Sequence, residues 1–473
     1  MKVSIENFAG GLRADKADHL KNLNYARDMA NFSVKDGKLV PIRNIGRLSY
    51  NGRNLSAILG GLNFAGGRVF FYKKFNFETN KRNDYLMFCG DEGSLYSLDL
   101  NNSSAMLVPT LRIFKSSPRM INYRLNGEDV VIATSPLDNM VVWNGTEAEV
   151  IIDAPKIKSM DLHYERLFAV TSENGGTTLH FSDDLDPTNW SESLNDAGFI
   201  DFVDERGKLL KVVSFNDYLY IFRERGITRL YANSSLQTNF YVNHLFTAGG
   251  RIIDGTIAVS GDNIFFMATD GFYRFDGANT TKILENVFPL ITITGLETAT
   301  YFNGKYVLGC TFGKSEDLSK NNALLLVSDS DMSVEIINGI SPTDLTIMTT
   351  DDKSRLLILN NGGKTEQLLE ISEGGRVDIP KVCPSFWESA ETDFGVIGRT
   401  KTIRRFSARI INPDREMVEF VIKNSSGAEV RMRVTSEKID LPLLFTGDKF
   451  SVRIETSATN VAIEKVELEV FGG

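Results

Sequence analysis

Short apolar runs separated by turn residues dominate the middle of the chain. The stretch 257–277 contains three such runs, divided by Gly261-Asp262-Asn263 and by Asp270-Gly271. Asx and Gly residues tolerate the positive φ of tight hairpin turns, so this pattern predicts three consecutive antiparallel strands. Residues 280–284 are predicted to form a fourth. One four-stranded meander cannot cover its own faces, which indicates that the unit is repeated.

Similar units recur along the chain, at a spacing of roughly 40 to 50 residues that is typical of one propeller blade. They lie at 68–98, 120–143, 160–181, 211–231, 298–328 and 345–371. The sequence therefore predicts an all-β protein whose main domain, residues 55–384, is a β-propeller of about seven four-stranded blades. A split or incomplete blade would make it a ring of six or eight blades.

Residues 385–473 show a different pattern. Charged and apolar side chains alternate with period two in five segments: 402–410, 418–423, 430–434, 450–455 and 463–471. Such alternation is typical of strands with one face on a core and one face in water. The pattern predicts a separate C-terminal β-sandwich of roughly 90 residues.

Residues 1–54 do not show the repeat and are predicted to form an N-terminal arm. We expect an extended lead-in at 7–12, a short helix around 18–32 with Asp15 or Asp18 as its N-cap, and a hairpin at 35–43. Two hypotheses remain open for this arm. It packs on the outside of the propeller, or it reaches a neighbouring subunit.

Composition narrows the classes of function. The chain has 473 residues, a net charge of −9 and a pI near 5.3. This balance argues against general binding to a phosphate backbone, which needs a basic surface. Residues 1–53 carry an excess of basic side chains, so the acidity belongs to the repeat region.

Cysteine usage and hydropathy indicate a protein made in a cytoplasm. Cys89, Cys310 and Cys383 are widely spaced, form no Cys-x-x-Cys motif and are expected to be reduced thiols. No apolar run of about 18 residues predicts a membrane span, and the N-terminus lacks the pattern of a secretory signal.

No motif predicts catalysis, a cofactor or a metal site. The sequence lacks Gly-x-Ser-x-Gly, the phosphate-binding Gly-x-x-x-x-Gly-Lys and a dinucleotide fingerprint. Its four histidines are His19, His163, His180 and His244. His163 and His180 could face each other in one blade, but neither has metal-ligand spacing, so both are interpreted as structural. We therefore expect no catalytic, cofactor-binding or metal-binding residues, and the sequence leaves the partner-binding residues unknown.

One segment, 181–190, resembles the Asp-box of sialidase-like propellers. Ser182-x-Asp184 is followed by a turn and then by Trp190, although Asp186-Pro187 stands where a glycine is usual. The box is a structural turn in that family, and we interpret it so here. Its acids Asp183, Asp184 and Asp186, like Asp329 and Asp331, are expected to be solvated loop carboxylates and not calcium ligands.

Two further groups of residues have both a structural and a functional interpretation. Aromatic residues at strand positions are expected to fill the core and not to form a ligand platform: Phe215, Tyr218, Tyr220, Phe222, Phe265, Phe266, Phe272, Tyr273 and Phe275. A basic group in the C-terminal domain is interpreted as part of a solvated or interface strand: Arg399, Lys401, Arg404, Arg405 and Arg409.

The whole pattern resembles the propeller proteins of short-tailed bacteriophages, the tail nozzle or hub and packaged-DNA stabilisation family. The segments that carry the resemblance are 8–12 (FAGGL), 30–32 (ANF), 37–43 (GKLVPIR), 181–190, 215–231, 270–277 (DGFYRFDG) and 386–389 (FWES). They span nearly the whole chain.

The resemblance implies a non-enzymatic virion protein, synthesised in the host cytoplasm and assembled into the tail as a ring, expected to be a homohexamer. This ring would continue the DNA channel below the portal and adaptor proteins, retain packaged DNA and dock tail fibres or tailspikes. Double-stranded DNA would pass without sequence-specific binding, and an acidic channel wall would oppose sticking.

Two alternatives belong to other classes of function. A glycan-binding, receptor-binding or glycosidase-like propeller would need carboxylates or arginines converging on one face of the ring. A scaffold propeller of the WD40 kind would carry Gly-His and Trp-Asp signatures in each blade, and these are absent.

Overall fold

The structure is a computed structural model of the chain. It describes residues 1–14, 23–42, 45–50, 52–58, 67–77, 79–90, 92–101, 107–191, 197–233, 239–350, 353–361, 367–371 and 383–472.

The N-terminal region forms short elements that serve two different domains. These are β1 (Lys2–Ile5), β2 (Ala26–Ala30), β3 (Phe32–Lys35), β4 (Lys38–Pro41), β5 (Ile45–Arg47), β6 (Ser49–Tyr50), β7 (Arg53–Asn54) and the one-turn helix α1 (Leu55–Ile58).

Blades 1 to 3 follow, each a four-stranded antiparallel meander whose first strand is innermost. Blade 1 consists of β8 (Arg68–Tyr72), β11 (Tyr85–Cys89), β12 (Ser94–Asp99) and β13 (Leu107–Ile113), with a small inserted hairpin of β9 (Phe75–Asn76) and β10 (Lys81–Arg82). Blade 2 consists of β14 (Arg119–Leu125), β15 (Glu128–Thr134), β16 (Met140–Trp143) and β17 (Ala148–Ile151). Blade 3 consists of β18 (Ile157–His163), β19 (Arg166–Thr171), β20 (Thr178–Phe181) and β21 (Gly198–Asp201), with a 3₁₀ turn at Glu173–Gly176.

Blades 4 to 6 repeat the same meander. Blade 4 consists of β22 (Leu209–Phe215), β23 (Tyr218–Arg223), β24 (Gly226–Tyr231) and β25 (Tyr241–Thr247). Blade 5 consists of β26 (Ile252–Val259), β27 (Ile264–Ala268), β28 (Gly271–Phe275) and β29 (Thr280–Ile283), followed by a 3₁₀ turn at Phe288–Leu290. Blade 6 consists of β31 (Thr298–Phe302), β32 (Lys305–Phe312), β33 (Ala323–Ser328) and β34 (Val334–Asn338), and the short β30 (Ile291–Thr292) also pairs with β32.

Blade 7 is completed by a strand from the other end of the chain. Its strands β35 (Pro342–Thr350), β36 (Lys353–Asn360) and β37 (Leu368–Ile371) are followed outward by β5, which pairs antiparallel with β37. This pairing closes the outer edge of the last blade with residues that precede the first, so the ends of the ring are held together by backbone hydrogen bonds.

The described residues therefore form a seven-bladed β-propeller. The innermost strands contact one another in the order β8, β14, β18, β22, β26, β31 and β35, and β35 returns to β8. The predicted fold class is confirmed, and the ring has seven blades. The four strands predicted for residues 257–284 are β26 to β29.

The innermost hairpins show why the turn residues predicted the repeat. Asn216 and Asp217 have φ of 46° and 61°, and Asn126 and Gly127 have φ of 50° and 83°. Two successive positive φ values make a turn whose twist matches that of the flanking strands, and Asx and Gly are the residues that adopt them at low cost.

The C-terminal strands form two sheets with help from the N-terminus. They are β38 (Ser385–Ser389), β39 (Lys401–Ile411), β40 (Val418–Asn424), β41 (Glu429–Val434), β42 (Lys438–Gly447), β43 (Phe450–Thr456) and β44 (Ala462–Gly472). One sheet has the order β3-β4-β44-β39-β42, with β1 also on β44, and the other has the order β2-β38-β43-β40-β41. The result is a β-sandwich to which residues 1–41 contribute four strands.

This arrangement differs from the predicted N-terminal arm of residues 1–54. The helix predicted around 18–32 is wrong for residues 26–30, which form β2, and for residue 32, which begins β3, and residues 15–22 lie outside the described part of the chain. Strand β2 pairs with β38, and this tertiary pairing overrides the local helical pattern. The described part of the arm does not pack as a unit on the outside of the ring, because β1–β4 belong to the sandwich and β5 to blade 7. Their roles are divided between the two domains. A contact of the arm with a neighbouring subunit stays a prediction.

The sandwich is fixed to blade 6 by polar contacts as well as by packing. The backbone N–H of Asn31 donates to the carbonyl of Ile336 at 2.7 Å, and its side-chain oxygen accepts from the N–H of Asn338 at 3.0 Å. Ser33 donates to Glu335 at 2.6 Å. One hydrophobic core runs from the sandwich into blades 5 and 6, so the two domains share buried apolar surface.

Candidate functional site

The innermost strands of a propeller present unpaired backbone edges toward the axis, and polar side chains of neighbouring blades satisfy several of them. Asp161 of blade 3 accepts from the N–H of Ser214 in blade 4 at 2.8 Å, and Ser159 accepts from Val212 at 3.3 Å. Tyr306 of blade 6 donates to the carbonyl of Thr256 in blade 5 at 2.8 Å. These polar residues are explained by the need to pair buried backbone groups.

Charged side chains from six of the seven blades meet on the axis at one end of these strands. We call this group the axial cluster: Arg68, Arg119, Lys158, Asp161, Lys211, Asp254 and Asp344. The Nζ of Lys158 in blade 3 lies 3.0 Å from Asp254 in blade 5, across the inner end of blade 4. Side chains of non-adjacent blades therefore come within ion-pair distance of each other.

Asp344 joins the last blade to the first within this cluster. It is 6% exposed; one carboxylate oxygen lies 2.8 Å from Arg68 and the other accepts from the N–H of Val69 at 2.9 Å. The carboxylate of Asp344 in blade 7 thus binds both the guanidinium of Arg68 and a backbone N–H of blade 1, where the ring closes.

Lys211 is a cation held where water is scarce. Its Nζ donates to the carbonyl of Ile257 at 2.7 Å. Desolvation by the surrounding protein, followed by repulsion from Arg119, lowers the pKa of Lys211 from 10.5 to about 8, while Asp161 and Asp254 oppose the shift. The ammonium of Lys211, with a pKa of about 8, therefore loses its proton at a lower pH than the guanidinium of Arg119, whose pKa is about 10.

We expect the stability of the protein to rise between about pH 8 and pH 10.5 because of Lys211. Across this window Lys211 is protonated in the unfolded state and has lost its proton in the folded state, so raising the pH favours the folded state. Below about pH 8 the lysine is protonated in both states, and the folded protein bears the full free-energy cost of burying its charge. In Lys211→Met the free energy of unfolding should rise less steeply with pH, by about the contribution of one titrating proton. The measurement is the thermal midpoint against pH for both proteins.

The exposed Lys282 on the outer strand of blade 5 provides the matched control. Lys282→Met should leave the slope between pH 8 and pH 10.5 as it is in the wild type. An unchanged slope in Lys211→Met would show that Lys211 does not titrate in this range.

Arg119 differs from the other members of the cluster. Its side chain is exposed toward the axis, and among the described residues it makes no hydrogen bond or ion pair. Desolvation and the positive charge of Arg68 lower the pKa of Arg119 to about 10, against the opposing effect of Asp344 and Asp254. It remains a cation with unused donors at ordinary pH.

The histidines named in the sequence analysis each contact different side chains. His163 is 2% exposed and its Nδ1 lies 2.8 Å from the hydroxyl of Ser214, and burial lowers its pKa. His180 lies beside Glu173, with an Nε2–Oε2 distance of 3.8 Å, and its ring packs against Phe199. The structure does not use the two histidines as a pair. His244 contacts Thr228 at 3.0 Å, and His19 lies outside the described residues.

The segment that resembles an Asp-box is a closed structural turn. Asp183 accepts from the N–H of Asp184 at 2.8 Å and from the side chain of Asn189 at 3.0 Å. Asp186 accepts from Thr188 at 2.6 Å, and the indole of Trp190 donates to the carbonyl of Pro187 at 2.9 Å. The predicted structural role is confirmed by these bonds.

The other acidic pair named from the sequence is also used locally. Asp331 accepts from the N–H of Ser333 at 3.0 Å, and that bond lowers its pKa. Asp329 accepts from the hydroxyl of Tyr301 at 3.1 Å. Within the described part of the chain, no group of three or more His, Cys, Asp or Glu side chains is placed to hold a metal ion.

The aromatic residues singled out in blades 4 and 5 are core, as predicted. Eight of them belong to two buried clusters and the ninth, Tyr218, packs against one of these. The side chains pack edge-on or stacked, for example Phe222 on Phe266 with ring centroids 5.5 Å apart. They do not form a ligand platform.

The basic group, Arg399 and four residues of strand β39, is divided among different local contacts. Lys401 is 1% exposed and donates to the carbonyls of Arg399 and Asp448, each at 2.8 Å. Arg405 pairs with Asp440 at 2.6 Å, and Arg404 lies 4.3 Å from the ring centroid of Phe471. Lys401 is thus buried, whereas Arg404 and Arg405 are exposed beside their partners, and the solvated or interface role of the group stays a prediction.

The sequence interpretation missed the axial cluster. Each member lies in the first five residues of an innermost strand, so an alignment of the repeats by their first strand would have shown a charge at the start of six blades. The individual residues carry no signal, because a charged residue at a strand end is ordinarily solvated.

Comparisons with known proteins assign no family to the chain. No family model and no curated protein matches the chain. Similar solved structures include BBS1N in complex with ARL6DN (TM-score 0.43, 8% identity, covering 71% of this chain and 99% of that one). Another is BamB from Moraxella catarrhalis (TM-score 0.37, 11% identity, covering 61% of this chain and 81% of that one). A third is the dihydro-heme d1 dehydrogenase NirN (TM-score 0.43, 10% identity, covering 87% of this chain and 77% of that one). The searched part of the chain contains no helix long and apolar enough to cross a membrane.

Proposed function

We propose that this chain is a non-enzymatic structural protein of a bacteriophage tail, a nozzle or hub subunit that assembles into a ring below the portal and adaptor proteins. The ring, a homohexamer in this proposal, continues the DNA channel, retains packaged DNA and docks tail fibres or tailspikes. The protein is made in the host cytoplasm and functions in the virion. The sequence resemblance set out above motivates this function.

The observation that carries the proposal is the shared core of the two domains. Interfaces between domains of one chain usually permit relative motion unless they are large and apolar. Here buried residues of the sandwich, such as Phe420, lie in one cluster with Phe265 of blade 5 and Leu325 of blade 6. The N-terminal strands β2 and β3 add hydrogen bonds to blade 6. A two-domain block of this kind suits a subunit that transmits load between neighbours in a ring.

The sandwich also offers surfaces for assembly. At one end of each sheet, β2 and β3 contact blade 6, whereas β41 and β42 at the other ends have unpaired outer edges among the described strands. Leu444 on β42 is 81% exposed. Exposed apolar side chains beside an open sheet edge favour contact with another protein surface.

In this proposal DNA runs along the axis of the ring of subunits and not along the propeller axis. Ion pairs between the innermost strands, Lys158 to Asp254 and Arg68 to Asp344, narrow the inner end of the propeller, so this proposal does not route a duplex through it. The net negative charge of the chain then limits sticking of DNA to the wall that the subunits form.

The test is the mass of the purified protein by light scattering, alone and with a portal–adaptor complex from a short-tailed phage. We expect a ring, or a monomer that becomes a ring on that complex. Leu444→Glu should weaken the assembly, whereas the matched control Val203→Glu, at an 84% exposed position of the propeller, should not. A strict monomer that ignores the complex would contradict the proposal.

A glycan-binding propeller is the second candidate, and one observation favours it. Tyr231 and Tyr241 are directly opposite each other on the two outer strands of blade 4, and they are 43% and 69% exposed. Exposed aromatic rings side by side suit the apolar face of a sugar. A glycan array with the wild type and Tyr241→Ala tests it. Binding that is lost in the variant, from a protein that stays monomeric, would favour this function.

A further inference from the structure

The axial cluster contains four basic and three acidic side chains, and each carboxylate already has partners. Asp344 is bound by Arg68 and by a backbone N–H, as described above. Asp254 lies 3.0 Å from Lys158 and accepts from the N–H of Gly255 at 2.9 Å. Asp161 accepts from the N–H groups of Ser214 and Leu162, at 2.8 and 2.9 Å. The acidic groups are thus committed to contacts within the protein.

One cation remains after this pairing. Lys211 donates to a backbone carbonyl, whereas Arg119 has no hydrogen bond or ion pair among the described residues. Its guanidinium is exposed toward the axis and experiences the positive charge of Arg68, and it repels Lys211 in turn. Like charges gathered close together disfavour each other, and a counter-anion relieves that cost.

We propose that the axial cluster binds one compact oxyanion, a carboxylate or a phosphate, on the guanidinium of Arg119. A guanidinium presents parallel N–H donors that match the two oxygens of a carboxylate or phosphate, and this bidentate geometry is stronger than a single neutral hydrogen bond. Arg68 and Lys211 raise the local positive potential. One bound anion neutralises the single excess positive charge of the cluster.

The nearby carboxylates set the limits of the site. Asp254 and Asp344 also interact with Arg119, so a highly charged anion would be repelled, and a small anion of one or two charges fits the balance. The ion pair between Lys158 and Asp254 spans the inner end of blade 4 beside the site, which favours a small anion over a polymer. This inference does not depend on the function proposed above.

The test is isothermal titration calorimetry in a chloride-poor buffer, with inorganic phosphate and acetate as separate probes. We expect at least one of them to bind saturably, with one site per chain. Arg119→Gln should weaken that binding by about tenfold or more, the loss typical of a hydrogen bond to a charged group. Arg119→Lys should give an intermediate affinity, because lysine keeps the positive charge but lacks the two parallel N–H donors of the guanidinium.

The matched control is Arg124→Gln, at the far end of the same strand β14. Arg124 lies over the ring of Phe77, 4.1 Å from its centroid, and its removal should leave anion binding unchanged. The absence of saturable binding for both probes would overturn the proposal, as would equal affinities of the wild type and Arg119→Gln.

A stability measurement separates binding from a structural role of Arg119. Without anion, the thermal midpoint of Arg119→Gln should not fall, because the substitution removes a repelled charge and no hydrogen bond. With saturating anion, the midpoint of the wild type should rise and that of the variant should not. A variant that is destabilised yet still responds to the anion would assign Arg119 to structure and refute the site.

Discussion

Replacing Trp387 by alanine is expected to destabilise the sandwich by about 3–5 kcal/mol, the range for removing a large aromatic side chain from a core. Trp387 lies on β38 and is fully buried. Its ring meets Phe8 of the N-terminal segment edge-on, with centroids 5.1 Å apart. The strand pairs with β2 on one side and with β43 on the other. Losing this side chain leaves a cavity where the two ends of the chain meet.

The measurement is native-state hydrogen exchange in the sandwich strands, because a protein with two domains need not unfold in a single step. Protection should fall first in β2, β38 and β43 and least in blades 1 to 3, which lie outside the shared core. Trp387→Phe serves as the control. It keeps much of the volume and removes an indole N–H that has no hydrogen-bond partner, so its cost should be clearly smaller. Equal effects of the two substitutions would contradict the cavity explanation.

Replacing Asp344 by alanine is expected to cost about 3–5 kcal/mol, since it removes one partner of a buried ion pair. Arg68 would lose its counter-charge and the N–H of Val69 would lose its acceptor. Both groups lie on β8, so the contact between the last and the first blade is weakened. We expect a lower midpoint of guanidinium unfolding and faster exchange in β8 and β35.

Two variants control this prediction. Asp344→Asn keeps an oxygen acceptor and should be less destabilising than alanine. Asp440→Ala breaks an ion pair of similar length, Arg405 to Asp440 at 2.6 Å, between side chains that are more than half exposed. Solvent screens such a pair, so little change is expected. If Asp440→Ala and Asp344→Ala had equal effects, closure of the ring would not depend on Asp344.

Two strands near the N-terminus, β2 and β5, show where sequence reasoning fails. Residues 26–32 carry apolar side chains at spacings that also fit a helix, and the strand β2 exists because β38 offers a sheet edge beside it. In the same way, Ile45–Arg47 is too short to be recognised as a strand without β37. Pairing over more than three hundred residues leaves no local trace, because the hydrogen bonds involved are those of the backbone.

The sequence by itself determined the repeat, the all-β class and the structural role of the Asp-box segment. These depend on short-range physics: Asx and Gly residues set the positive φ of hairpin turns such as Asn216-Asp217, and alternating apolar residues require a covered face. The tertiary structure alone decided that seven blades close with β5, that the N-terminus completes the sandwich, and that charges from six blades meet on one axis. Closure of a ring brings together residues that are far apart in the chain, and Arg68 and Asp344 become partners only when the last blade reaches the first.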